Sequence, residues 1–485
     1  QRTVCCVFFS NYSRTPRGVV METVRDIVYQ NSSDFSYLKG QVHLPRLFYI
    51  VDYTNIVPEN EDYIHNLFED TVLTFLVFTV VEQLLCLLLS LPTANLQSAI
   101  ANICHGAIML MGRIFVKSVE YVAFTYVHAR FRVMDLPSNT LGVFLLSFLA
   151  VEFTYYWGHR LEHETKLFWG SHMVHHSSET YEILVGFRLS ATQSLLSGVL
   201  TIPLALFFHP LLLLFQTQMA LMYQYSIHTN LVGKLGVLDY ILNTPSAHRV
   251  HHGSTRDSID KNFGAVTMIW DHVFNTFQAE TMPLNYGLTT PNTDEALLNH
   301  QFGYLIEVIK DAHRTPGMKQ KFKKLFYGPG WSPGKPRLGD PADLPEYDAT
   351  RKPYELKFQA PIKAYAAIHF VLSPSLFICY VINGKAGEPT YYVTLLLTML
   401  TIVMVDLLLR GNKIAFLLES GRCALSIIIL RVIKGFPIGP LANYISAAYI
   451  GSMIFSGAVY ILKLPVFNEK VGDMCSKSVR KNKVG

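Results

Sequence analysis

The sequence predicts an all-α integral membrane protein: a transmembrane helix bundle with a cytosolic helical cap that carries a histidine-rich di-metal site. Three observations predict it. Half of the 485 residues are apolar and only 16% are charged, too apolar for an ordinary soluble domain of this length. Several apolar runs are about as long as a bilayer is thick. Histidines recur in three groups, His159-x-x-x-His163, His172-x-x-His175-His176 and His248-x-x-His251-His252. Positions i, i+3 and i+4 share one face of a helix, so each group can aim two or three imidazoles at one centre.

Residues 1–68 form a poorly defined N-terminal segment; the run at 4–10 lacks a signal-peptide layout, and the sequons at Asn11 and Asn31 matter only on a lumenal end. The first span is expected at 71–91. Residues 107–127 read as a helix of uncertain depth, because Arg113, Lys117 and Glu120 make a polar stripe. Residues 140–157 are again apolar and end in Tyr155-Tyr156-Trp157, an aromatic belt that puts His159 just outside the membrane. Residues 190–225, too long for one crossing and carrying Pro203 and Pro210, read as a helical hairpin that returns His228 and the third histidine group to the side of the first two.

The catalytic region is thus placed at 69–290, followed at 291–358 by a basic, proline- and glycine-rich connection with Lys319, Lys321, Lys323, Lys324 and Arg337, assigned to the cytosol by its positive charge. Within it, 328–335 resembles a phosphate loop, but the spacing is one residue too long and Pro336 stands where Ser or Thr is needed. It reads as a rigid loop, with Trp331 buried in it. Four further runs, 362–382, 391–409, 414–433 and 441–462, make a C-terminal membrane region at 359–464. An even number returns the basic tail, 465–485, to the cytosol, where Lys481-Asn482-Lys483-Val484-Gly485 resembles a retrieval signal to the endoplasmic reticulum. The net charge of +5 gives no support for nucleic-acid binding, and the seven scattered cysteines read as reduced, buried thiols.

Eleven of the eighteen histidines lie between His159 and His272. The three groups with His228 supply nine candidate nitrogens, more than one closed zinc site uses, whereas His209 and His272 have no partner at ligand spacing. Two metals sharing nine imidazoles, with an open position for dioxygen chemistry, point to non-haem iron. Glu162, Glu164, Glu179, Asp257, Asp260 and Asp271 are candidate acceptors for the outer ring N–H groups, and Glu164 is also a candidate contact for a cationic or N–H-rich cofactor.

In an integral membrane chain, these three histidine boxes resemble the fatty acid hydroxylase and sterol desaturase superfamily. Asn243-Thr-Pro-Ser-Ala-His-Arg-Val-His-His-Gly253, Ile259-Asp-Lys-Asn262, Ile269-Trp-Asp271, Tyr286-Gly-Leu-Thr289 and the Pro/Gly-rich stretch 328–339 resemble its alkylglycerol monooxygenase branch, from about Glu69 to the last span. The resemblance implies a di-iron site and tetrahydrobiopterin, with Glu164 as a contact for the pterin. The reaction implied is hydroxylation by O2 of the ether-linked carbon of an alkylglycerol in the endoplasmic reticulum membrane, giving a fatty aldehyde and a glycerol. Its implied catalytic iron ligands are His159, His163, His172, His175, His176, His228, His248, His251 and His252. Related hydroxylases often pair the lone middle histidine with another four residues away, and here Gln224 and Val232 stand there. A sterol or fatty-acyl hydroxylase fed by cytochrome b5 is the alternative; a membrane metal transporter is a more remote one, for which ionisable residues aligned within several spans are expected, and apart from Glu82, Asp406 and Glu419 the apolar runs show few.

Overall fold

The computed structural model describes residues 53–56, 67–91, 96–290, 297–353, 362–372, 389–409, 413–432 and 441–464. The sequons, the residues at 4–10, the retrieval-like tail and the second half of the run at 362–382 lie outside them. Among the described residues there is no strand, only one isolated antiparallel bridge, Leu242 to Thr267.

Helix α1 is Leu67–Leu88 and α2 is Leu96–Phe131. The uncertain helix at 107–127 is therefore the middle of one 36-residue helix. Of its expected polar stripe, Glu120 has a described side chain, and it is buried. Gly106 lets the backbone of the 3-10 turn Ile183–Phe187 lie against α2, since a Cβ there would stand 2.8 Å from the Phe187 carbonyl oxygen.

Helix α3, Leu141–Glu164, buries Val143, Phe144, Val151 and Tyr156 and exposes Leu141, Leu145, Leu149 and Phe153, which follow at i+4 along one stripe. It continues past the aromatic belt because no breaker occurs before Thr165, so His159 and His163 belong to the same rod. Thr165 is extended (φ −134°, ψ 133°) and closes α3 while opening α4, Lys166–His176. One non-helical residue thus separates the two histidine-bearing helices.

The stretch at 190–225 does reverse, but unevenly. Its first arm is α5, Gln193–Thr201, plus a 3-10 turn, Ile202–Leu206, which contains Pro203. Its second is α6, Pro210–Ser226, with Pro210 at the first helical position and His209 as N-cap, accepting from the Leu211 N–H. The first arm is shorter than a crossing requires. Short helices α7, Leu238–Ile241, α8, Pro245–His251, and α9, Ile269–Val273, follow. Then come α10, Tyr304–Arg314, and α11, Met318–Phe326, which pack on α4. Trp331 is buried as expected; its carbonyl accepts from Lys166 Nζ (2.6 Å) at the start of α4, away from the histidines.

The C-terminal region contains α12, Ile362–Leu372, α13, Pro389–Leu409, α14, Lys413–Val432, and α15, Leu441–Ile461. Ile402, Val405 and Leu409 of α13 pack with Ile100, Cys104 and Ile108 of α2, joining this region to the histidine-bearing half. Among the described residues, two helices, Leu141–Glu164 and Asn443–Ile461, are long and apolar enough to cross a membrane. Cys86, Cys104 and Cys423 are buried free thiols.

Candidate metal centre

Four segments converge. Helix α3 supplies His159 and His163, α4 supplies His172, His175 and His176, the turn after α6 supplies His228, and α8 with its C-cap supplies His248, His251 and His252. All nine are buried. They sort into two groups within which the ligand atoms lie within 4.8 Å of one another: His159, His163, His172, His176 and His251 in one, His175, His228, His248 and His252 in the other. Helix α4 sends its i, i+4 pair to the first group and the residue between them to the second. Helix α8 does the reverse. The helical period therefore threads both centres with the same two rods.

The ring nitrogens show what the groups are built for. His228 Nδ1 donates to the Gln224 carbonyl (2.7 Å), His175 Nδ1 to that of Arg188 (3.2 Å), His159 Nδ1 to that of Phe263 (2.9 Å) and His251 Nδ1 to that of Lys261 (2.9 Å). A carbonyl only accepts, so each of these Nδ1 atoms carries the proton and each Nε2 presents a lone pair. Those lone pairs face one another: His228 Nε2 is 3.2 Å from His175 Nε2, 3.2 Å from His252 Nε2 and 3.0 Å from His248 Nε2. In the other group His172 Nε2 is 3.0 Å from both His159 Nε2 and His176 Nε2, while His163 Nε2 and His251 Nε2 are buried without a hydrogen bond. Converging lone pairs repel unless a cation sits between them, and about 3 Å is the spacing of neighbouring nitrogens around an ion roughly 2.1 Å from each. The donor set fits a transition metal in each group.

Electrostatics agree. Desolvation, followed by the neighbouring imidazoles, holds His172, His175, His176, His248, His251 and His252 well below the usual histidine range, and burial pushes His228 down to about 4. Neutral imidazole is the form a metal takes.

The expected carboxylates divide. Glu162 accepts from His172 Nδ1 (3.1 Å), and Asp260 lies 3.4 Å from His163 Nδ1. Asp271 acts one layer out: it accepts from the N–H groups of Phe263 and Gly264, both at 2.8 Å, and so shapes the loop whose carbonyl holds His159. Glu179 pairs with Arg351 (3.6 Å), and Asp257 is exposed. Glu164 is held by Arg160 (2.7 Å) and by Arg337, outside both groups. His209 and His272 also stay outside, the latter facing the Tyr240 carbonyl at 2.8 Å.

Some partners escape side-chain reasoning. The outer acceptors are mostly backbone carbonyls. Gln193 Nε2 lies 2.8 Å from His172 Nδ1, the same ring nitrogen that faces Glu162. Gln224, which stands where a second middle histidine was sought, gives its carbonyl to His228 and its side-chain oxygen to the Tyr155 hydroxyl. Glu152 accepts from Val266 N (3.2 Å) and Thr267 N (2.9 Å), fixing the same loop as Asp271. An acid within an apolar run was the available signal.

A cavity of about 110 Å³ reaches from His159, His172, His175, His228 and His248 past Glu162, Gln193, Tyr155 and Gln224 to Val151, Leu189, Ala220 and Leu221. Apolar side chains extend it between α3 and α6, and Glu120, Thr201 and Thr217 add further polar lining.

The fatty acid hydroxylase family model matches residues 144–276, which include all nine histidines. The chain is 34% identical over 366 residues to alkylglycerol monooxygenase of Homo sapiens, covering 75% of this chain and 81% of that one. It is 34% identical to the Danio rerio alkylglycerol monooxygenase, over 74% of this chain and 81% of the relative, and 32% identical to that of Xenopus tropicalis, over 83% and 90%. No solved structure matches the chain significantly. With its family-model match, its similarity over most of its length and its two buried histidine groups, the chain belongs to the alkylglycerol monooxygenase family, oxidoreductases of the fatty acid hydroxylase superfamily.

Proposed function

We propose that the protein is a membrane-bound di-iron monooxygenase that hydroxylates the ether-linked carbon of alkylglycerols with O2 and tetrahydrobiopterin. The observation that carries the metal part is the set of Nε2 atoms converging at 3.0–3.2 Å, with the protons of His159, His175 and His228 held on the far side by carbonyls. In this reading His159, His163, His172, His176 and His251 hold one iron, and His175, His228, His248 and His252 hold the other. Iron bound there would supply the activation of O2, with electrons from the pterin.

The residues around it do the rest. Phe263, Arg188, Gln224 and Lys261 carbonyls keep the imidazoles in one tautomer, and Glu162 offsets positive charge beside His172. Tyr155, Gln193 and Gln224 present polar atoms to the glycerol end of a substrate, and Val151, Ala220 and Leu221 receive its alkyl chain. One oxygen atom enters the C–H bond next to the ether oxygen; the other leaves as water with two electrons and two protons. The resulting hemiacetal breaks to a fatty aldehyde and a glycerol. A pterin contact at Glu164 requires it to exchange one of its arginine partners, Arg160 or Arg337.

The proposal includes an endoplasmic reticulum location, a cytosolic face for the centre, and the five regions 1–68, 69–290, 291–358, 359–464 and 465–485. A transporter is disfavoured because Glu82, Asp406 and Glu419 in the apolar helices are held: Glu82 accepts from Thr229 Oγ1 (2.6 Å) and Ile183 N (2.9 Å), Asp406 from Leu297 N (3.2 Å), and Glu419 from Arg422 (2.7 Å). The test is turnover of a labelled alkylglycerol by a preparation whose iron content is measured. Product formed with tetrahydrobiopterin and without cytochrome b5 supports the proposal; dependence on cytochrome b5 instead supports the sterol or fatty-acyl alternative.

A further inference from the structure

Helices α7 and α9 have their polarity reversed. In a loop facing water, acids point outward and apolar side chains inward. Here Asp239 is turned in, accepting from Leu235 N at 2.8 Å and from the Thr244 hydroxyl. The reversal before it uses Gly236 at φ +68°, a conformation suited to glycine. Outward stand Val237 (75% exposed), Leu238, Tyr240 and Ile241. Helix α9 repeats the pattern, with Asp271 wholly buried and Ile269 and Val273 (58%) outside. The Leu242 to Thr267 bridge and the bond from Met268 N to the Ile241 carbonyl (3.0 Å) join the two into one surface.

That surface continues another. Trp270 of α9 packs edge-on against Phe153 of α3, with ring centroids 4.9 Å apart. Phe153 ends the outward stripe Leu141, Leu145, Leu149 of the helix that is long and apolar enough to cross a membrane. The apolar stripe of α3 therefore runs on without interruption into the α7 and α9 face, and the exposed Lys234 stands at its border. An exposed apolar patch of this kind marks a binding surface, and continuity with a span identifies the partner as lipid.

We propose that the α7 and α9 face dips into the acyl and headgroup boundary of the bilayer beside α3. This rests on α3 being a membrane span. The seating matters for the centre, because the Thr244 hydroxyl that holds Asp239 also caps α8, accepting from Ala247 N (3.3 Å), and α8 carries His248 and His251. Lipid contact at α7 thus bears on the helix that serves both histidine groups.

The test is photolabelling of the full chain in phosphatidylcholine vesicles containing a diazirine-acyl lipid, with labelled peptides mapped by mass spectrometry. We expect label on peptides spanning residues 237–241 and 269–273, roughly tenfold above the exposed polar stretch 347–351, and label on 141–153 as well. In the double variant Val237→Asp, Val273→Asp, label on the first two peptides should fall several-fold, with label on 141–153 and helix content by circular dichroism unchanged. Label on 141–153 but not on α7 or α9 would overturn the proposal. Label on α7 and α9 that disappears as the protein-to-lipid ratio rises would assign the face to a second copy of the chain and also overturn it. Absence of label on 141–153 would overturn the span reading beneath it.

Discussion

Two of the buried polar clusters among the described residues end differently. In the C-terminal region Arg422 donates to both oxygens of Glu419 (2.7 Å each), to Thr401 Oγ1 (3.0 Å) and, at 3.0 Å, to His369 Nδ1. Tyr365 donates to Glu419 (3.0 Å), and His369 Nε2 meets Ser452 Oγ at 2.8 Å. Opposite charges meet and the donors find acceptors, so that cluster is complete as it stands. In the histidine cluster the outer nitrogens of His159, His175, His228 and His251 meet carbonyls, and the inner nitrogens point at each other. A closed network fixes a fold, whereas a network open only at its middle is a mould for an ion.

The sharpest way to break this contrast is to remove one member of each cluster. His175→Ala should lower turnover of an alkylglycerol on the order of 10³-fold and reduce bound iron, with helix content by circular dichroism retained. Unchanged turnover would sink the ligand assignment. Arg422→Leu should do the reverse: it strands Glu419 and should cost about 3–5 kcal/mol in denaturant unfolding, with iron content per folded chain kept. The joint replacement Glu419→Leu, Arg422→Leu should recover much of that loss; failure to recover would show that the pair is not a self-contained unit.

Between the extremes lies the frame behind the centre. Burial raises Glu182 from an ordinary value of 4.5 to about 7, against hydrogen bonds from Ser98 (3.3 Å) and Asn102 (3.1 Å). The folded chain then keeps a proton that the unfolded chain has lost. The stabilising contribution is full below pH 4.5, declines as pH rises and is gone above about 7. Glu182→Gln should flatten unfolding free energy across that window by about 3 kcal/mol relative to the parent. Equal pH slopes in the two proteins would contradict it. The smallest effect is expected at Glu162→Gln, which keeps shape but weakens the acceptor for His172: iron affinity in a chelator competition should drop about 10- to 100-fold. No change would remove Glu162 from the frame.

Much of this centre was readable from spacing. H-x3-H and H-x2-HH specify helical faces, and the structure gathers all nine histidines those patterns and His228 nominate. The division into five and four was not readable, because it depends on how α4 and α8 lie across each other rather than on either helix alone. Nor were the outer partners, since Phe263, Arg188, Lys261 and Gln224 act through their carbonyls, which every residue owns. Glu164 looked available because it follows His163, but it pairs with Arg160 one turn earlier and with Arg337 from 173 residues away. The stretch at 190–225 shows the limit of hydropathy: apolar length does not distinguish a crossing from a buried arm, and the α-helix of the first arm gives way at Pro203 to a short 3-10 turn.

If each histidine group holds an ion, as proposed, the shared use of α4 and α8 would link the two ions thermodynamically. Loading either group would fix both helices, since each contributes to each, so the first ion would bear most of the ordering entropy and the second would bind to ligands already in place. Iron uptake by the apoprotein should therefore be cooperative, with half-loaded chains scarce at intermediate iron, and a chelator that strips one site should release the other.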